Sequence, residues 1–147
     1  KTRGVVFGAG DGCLHYYDHK GTLRLKYNTG DEVVTVAAAD LDGDGIDEFA
    51  GGSLNHNVYA FNAKGERLWR ADLGAPLVRL LPLVSDTGPR LVAATHSGGV
   101  VVLDPAGRIV GRSDLGVAVV DLLVLGADIV AAGADGRLHR LQLPREN

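Results

Sequence analysis

The chain has 147 residues, carries a net charge of −3 with both signs mixed along its length, and is 46% hydrophobic with few aromatics and 21 glycines. That length buries one domain's core, the charge offers no basic footprint for nucleic acid, and no apolar run approaches the ~18 residues a membrane helix needs. The glycine-rich, aromatic-poor mixture suits many short strands joined by tight turns.

Cys13 is the only cysteine, so no intrachain disulfide exists, and its place beside Leu14 in an apolar segment reads as an inert buried thiol. The first residues, Lys1-Thr-Arg-Gly-Val-Val6, read as strand rather than as a signal peptide. Methionine is absent even at position 1, so a processed piece or a segment of a longer chain is expected.

In chain order, strand-like segments run Val5–Ala9, Leu14–Tyr17, Leu23–Tyr27 and Val33–Ala37, with Asp11-Gly12 as the first hairpin turn. The second group is Phe49–Ser53, Val58–Phe61, Arg67–Arg70 and Leu77–Leu81. The third is Leu91–Thr95, Val100–Leu103, Ile109–Arg112 and Val117–Asp121. Ile129–Gly133 and Leu138–Leu141 follow, around Asp135-Gly136. After the second strand of the first three groups comes an acid or amide, two residues and a glycine: Asp18–Gly21, Asn62–Gly65, Asp104–Gly107. The glycines lie 44 and then 42 residues apart. Four strands per period of about 40 residues, with no helical periodicity, define an all-β fold and point to β-propeller blades rather than a flat sandwich.

The repeats run over about 4–48, 49–90, 91–128 and an incomplete 129–147, which makes one segment, 1–147, of about 3.5 blades. Counted from the crowded inner strand, the first blade lacks that strand and the last lacks its outer one. The fourth segment of each repeat is near-continuously apolar and small, Ala37–Ala39 above all, and is expected to be the inner strand, covered on both faces. An open arc of this kind exposes blade faces and strand edges, so more chain, a second copy or a partner should cover them.

Between the first and second groups lies Asp40-Leu-Asp42-Gly-Asp44-Gly-Ile46-Asp-Glu48. Asp40, Asp42 and Asp44 stand at positions 1, 3 and 5, the backbone carbonyl of Ile46 at 7, and Glu48 at 9. Gly43 and Gly45 let the loop fold back without steric cost. Such an oxygen cage suits a hard cation, with Ca²⁺ the expected ion. A helix-flanked loop closed by Glu at position 12 is excluded, because that place is Gly51 and the flanks are strands. An ordinary Asp/Gly turn is the competing reading, but four clustered acids repel without a cation. Asp47 is placed to replace or supplement Glu48. The aligned loops Ser85–Pro89 and Gly126–Asp128 lack alternating acids, so one site is expected.

His15 and His139 fall at a repeat position that also takes Tyr59 and Val101, which marks packing. His56 and His96 lie in turns at one end of the array, where a ligand could meet them. His19 belongs to a turn. No Ser-His-Asp arrangement, phosphate loop or cysteine-histidine zinc spacing was found, and Gly98-Gly99 reads as a hairpin with no helix after it.

The phrase Asn57-Val-Tyr-Ala-Phe-Asn-Ala-Lys-Gly-Glu-Arg-Leu-Trp69 resembles a repeat of PQQ-like, quinoprotein-type propellers, and Asp40–Gly51 resembles the calcium loop of FG-GAP repeats, known from integrin α-chain propellers. The resemblance implies a propeller with Ca²⁺ at Asp40, Asp42, Asp44, Ile46 and Glu48. It implies that Trp69 is a docking tryptophan, which here should anchor an outer strand to its neighbour. Quinone chemistry is not expected, since vicinal cysteines and a stacking tryptophan set are missing. The expected function is a calcium-stabilised, non-enzymatic binding or scaffold module for a protein, with a glycan second, in an extracytoplasmic setting. The alternatives are part of a quinoprotein or other propeller enzyme whose active residues lie elsewhere, and a half-propeller that self-assembles into a ring.

Overall fold

The computed structural model describes residues 3–142, so the last five residues of the fourth repeat lie outside it. Those residues form fourteen strands in four antiparallel sheets and no helix. The first sheet holds β1 (Val5–Gly8), β2 (Cys13–Tyr17) and β3 (Leu23–Asn28). The second holds β4 (Val33–Ala39), β5 (Glu48–Ser53), β6 (Asn57–Phe61) and β7 (Arg67–Asp72). The third holds β8 (Leu77–Ser85), β9 (Gly88–Thr95), β10 (Gly99–Leu103) and β11 (Ile109–Asp114). The fourth holds β12 (Val119–Leu125), β13 (Asp128–Gly133) and β14 (Leu138–Gln142). Within each sheet the strands pair in sequence order, so each sheet is a meander. This is the β-propeller architecture expected from the repeat, and among the described residues the first sheet has no inner strand and the last no outer one.

The repetition extends to irregularities that no composition reveals. Register shifts fall at Val33/Thr35, Leu77/Arg79 and Val119/Asp121 on the inner strands, and at Tyr16/Tyr17, Ala60/Phe61 and Val102/Leu103 before the outer ones. A bulge adds a residue to one strand and sharpens its twist, so repeated bulges give each blade the same coil. The outer hairpins repeat as well. Asp18 accepts the amides of Lys20 and Thr22 at 2.9 and 3.0 Å, Asn62 those of Lys64 and Glu66 at 3.0 Å, and Asp104 those of Ala106 and Arg108 at 3.0 and 2.9 Å. The recurring acid or amide is therefore a turn-former, bonding backbone that the turn leaves unpaired.

Three cores lie between the four sheets. Leu14, Val33, Phe49, Tyr59 and Phe61 fill the first, where Phe49 and Phe61 stack at 5.6 Å. Val58, Ala60, Leu77, Leu80 and Leu103 lie in the second, and Val92, Val100, Leu122 and Ile129 in the third. β6 sends Tyr59 and Phe61 to one core and Val58 and Ala60 to the next, because successive side chains of a strand point to opposite faces. β10 does the same with Val101 and Leu103 against Val100 and Val102. The inner strand β8 also lines two cores, with Leu77 and Leu80 in the second and Leu83 in the third.

The inner strands are nevertheless less completely buried than the sequence suggested. β5 is buried at every position, whereas β4 alternates and leaves Val34 and Ala38 exposed, and β12 exposes Val120 and Leu123. Small residues on β4 go with its close approach to β8, where Thr35 Oγ1 accepts the buried Leu80 amide at 2.9 Å. The third inner strand also starts two residues later than expected, at Val119. Ala118 is held in the preceding connection, its carbonyl accepting the Ala134 amide at 2.8 Å.

Trp69 anchors an outer strand to the next blade, as the resemblance implied. Its Nε1 donates to the Pro105 carbonyl at 2.8 Å, and a Cβ on Gly107 would come within 2.5 Å of its ring. Gly107 also sits at φ +79°, so both backbone and packing demand glycine there. Among the described residues the faces at the two ends of the series are bare: Val5 and Phe7 are exposed on the first sheet, and Leu125 and Leu138 on the fourth.

Candidate metal centre

The loop between β4 and β5 is far longer than its counterparts, the two-residue turns Asp86–Thr87 and Gly126–Ala127. Leu41, 4% exposed, anchors it in the second core. Gly43 and Gly45 adopt φ of +83° and +85°, the left-handed conformation that turns the chain back over Asp40. Asp40 accepts the Gly43 amide through Oδ1 at 2.7 Å and the Gly45 amide through Oδ2 at 2.9 Å. Asp42 and Asp44 accept the amides two residues on, at 3.1 and 2.7 Å. The loop's backbone thus points the carboxylates inward.

Asp40, Asp42 and Glu48 converge, with ligand oxygens all within 4.8 Å of one another. Glu48 opens β5 and is 4% exposed, and its Oε2 accepts the Leu41 amide at 2.8 Å. Burial first, then the charges of Asp42 and Asp44, push its carboxyl above the usual carboxylate range. A buried acid facing two further acids is an unfavourable arrangement unless a cation shares it. The donors are all hard oxygens, which fits Ca²⁺. Asp44 stands outside the tight group of three, and Ile46, half exposed, occupies position 7. Asp47 is exposed and borders, with Ile46 and Glu48, an open cleft of about 580 Å³ between the first two sheets.

The structure gathers a second set of ligand types that sequence reading passed over. Asp11, Cys13 and His15 bring a carboxylate oxygen, a sulfur and a ring nitrogen within 4.8 Å of one another. The signal was present: residues at i, i+2 and i+4 entering a strand share one face. His56 and His96 lie in the turns entering β6 and β10, and His56 adopts φ +76°.

No protein-family model matches the chain, and no curated protein matches it. Solved structures do. The crystal structure of BBS1N in complex with ARL6DN aligns over 98% of this chain with a TM-score of 0.79 at 19% identity. The computationally designed Ika4 protein aligns over 96% with a TM-score of 0.77 at 19% identity, and Sqt1 of Saccharomyces cerevisiae over 95% with a TM-score of 0.76 at 13% identity. The chain spans 48% of BBS1N, 41% of Sqt1 and 86% of Ika4. At these identities the likeness establishes the fold, a β-propeller.

Proposed function

We propose that this chain is part of a propeller that binds a protein partner, with Ca²⁺ held at Asp40, Asp42, Asp44, Ile46 and Glu48 as a structural ion. The observation that carries the metal reading is Glu48, a carboxylate buried opposite Asp42 and Asp40 with no cationic side chain among its partners in the described residues. The ion would tie the inner strand β4 to β5 and give the blade end a fixed shape. Partner recognition belongs to loops carried on such a rigid frame. That BBS1N was crystallised with ARL6DN shows one similar propeller in a protein complex, and supports the same class of role here. The loop style fits FG-GAP repeats and the outer hairpins fit PQQ-like repeats. An extracytoplasmic setting follows from the same reading, since abundant Ca²⁺ fills even weak loops outside the cell.

Isothermal titration tests the site. About one Ca²⁺ per chain is expected, with Asp42→Asn and Glu48→Gln both weakening binding. Absence of binding at millimolar Ca²⁺ would refute the metal reading.

A second reading is favoured by the bare apolar faces at the two ends: the chain closes a ring with a second copy. Val5 and Phe7 at one end and Leu125 and Leu138 at the other, all exposed, would meet across two equivalent contacts. Mass measurement in solution decides it, a monomer at micromolar concentration arguing against.

A further inference from the structure

In two of the turns joining the second and third strand positions of the blades the same pair of side chains is in contact, the third sheet has Ser97 and Val101 at these places, and in the first sheet the pair stands apart. In the second sheet Asn55 Nδ2 donates to the Tyr59 hydroxyl at 2.9 Å. In the fourth, His139 Nε2 lies 3.4 Å from Asp135 Oδ2. The aligned pair in the first sheet is Asp11 and His15. Asp11 accepts the Cys13 amide at 3.0 Å, as Asp135 accepts the Arg137 amide at 3.1 Å. Yet His15 makes no bond to Asp11, and its Nδ1 is buried with no hydrogen-bond partner among the described residues.

The residue before the turn also differs between the two acid–imidazole pairs. In the fourth sheet it is Gly133, where a Cβ would come within 2.4 Å of Asp135 Oδ1 and 3.0 Å of His139 Nε2. In the first sheet it is Ala9, which carries that Cβ. The His15 ring instead stacks on Phe7 at 4.9 Å. The position between acid and imidazole, Arg137 in the fourth sheet, is Cys13 here, and its thiol is free and buried.

We propose that Asp11, Cys13 and His15 form a three-ligand site for a divalent transition ion of the Zn²⁺ class. Thiolate, imidazole and carboxylate are the donors such ions take, at about 2.3, 2.0–2.1 and 2.0–2.2 Å. A tetrahedral ion so bound separates its ligands by about 3.3–3.7 Å, so donors spread over at most 4.8 Å close on it with side-chain shifts of about 1 Å. Three protein ligands leave a fourth position open to water or to a group from whatever covers the first sheet. A hard oxygen-seeking ion such as Ca²⁺ would not choose sulfur, so this site is distinct from the acidic loop. It also lies at the other end of the blades, since the turn entering β2 and the loop entering β5 sit at opposite ends of their strands. Binding releases the Cys13 proton to solvent.

The test is titration of untagged protein with Co²⁺ and Zn²⁺ in excess Ca²⁺. A thiolate-to-cobalt charge-transfer band is expected, and Cys13→Ser should abolish it. Loss of an outer-shell partner alone costs roughly 10–100-fold in metal affinity, so Asp11→Asn and His15→Gln should each weaken Zn²⁺ binding by at least about 100-fold. Asp42→Asn should leave it unchanged. No charge-transfer band, or unchanged Zn²⁺ affinity in Asp11→Asn, whose side chain is exposed and does not build the core, would overturn the proposal.

Discussion

Glu48→Gln should separate the two states of the acidic loop by acting in opposite directions on them. In chelator the buried carboxyl is a liability, because burial and the facing Asp42 and Asp44 oppose its charge. Glutamine removes that charge and keeps an oxygen for the Leu41 amide, which Glu48 accepts at 2.8 Å. The variant should therefore melt at or above the wild type without metal. With Ca²⁺ the order reverses. Extracellular Ca²⁺ modules bind at about 10⁻⁴–10⁻³ M, and at tenfold excess over Kd the native state gains about 1.4 kcal/mol by mass action. For a chain of this length each kcal/mol moves Tm by about 2–4 °C, so the wild type should gain about 3–6 °C. Glu48→Gln should gain about 1 °C or less. Scanning calorimetry with chelator and with excess Ca²⁺ measures all four values. An equal Ca²⁺ gain in both proteins, or none in the wild type, would refute the reasoning.

Thr35→Val should cost about 1–3 kcal/mol in urea unfolding, because it strands the buried Leu80 amide between β4 and β8, while Thr35→Ser should recover most of the loss. Gly107→Ala should destabilise by about 1–3 kcal/mol, since its Cβ meets the Trp69 ring at φ +79°. Trp69 is the only tryptophan, so its fluorescence should shift toward that of an exposed indole. Acid should weaken the outer hairpins. The Thr22 amide, then Arg24, hold the Asp18 carboxyl down at about 2, and Asp104 is also depressed, its burial outweighed by the amide and guanidinium of Arg108. Such groups stabilise fully above the unfolded carboxylate value of about 4 and lose that contribution as pH falls toward about 2. Asp18→Asn should flatten the acid limb of the stability profile there, and a limb left unaltered would contradict the assignment.

Strand positions, hairpin turns and the forty-residue period were legible in the sequence because they rest on local chemistry. Alternation, glycine at positive φ and an acid or amide that satisfies its own turn all act within a few residues. The acidic loop was legible for the same reason: its ligands lie within nine positions, and Asp40, Asp42 and Glu48 do meet. Which strand is most completely buried was not local. Continuous apolar character marks both the inner and the middle strands, and only the stacking of sheets shows that β5, β6, β9 and β10 are buried along most of their length while β4 and β12 leave Val34, Ala38, Val120 and Leu123 exposed. The same holds for Asp11, Cys13 and His15. Their spacing places them on one face, but that acid and imidazole are in contact in the fourth sheet and stand apart in the first is seen only in the folded chain.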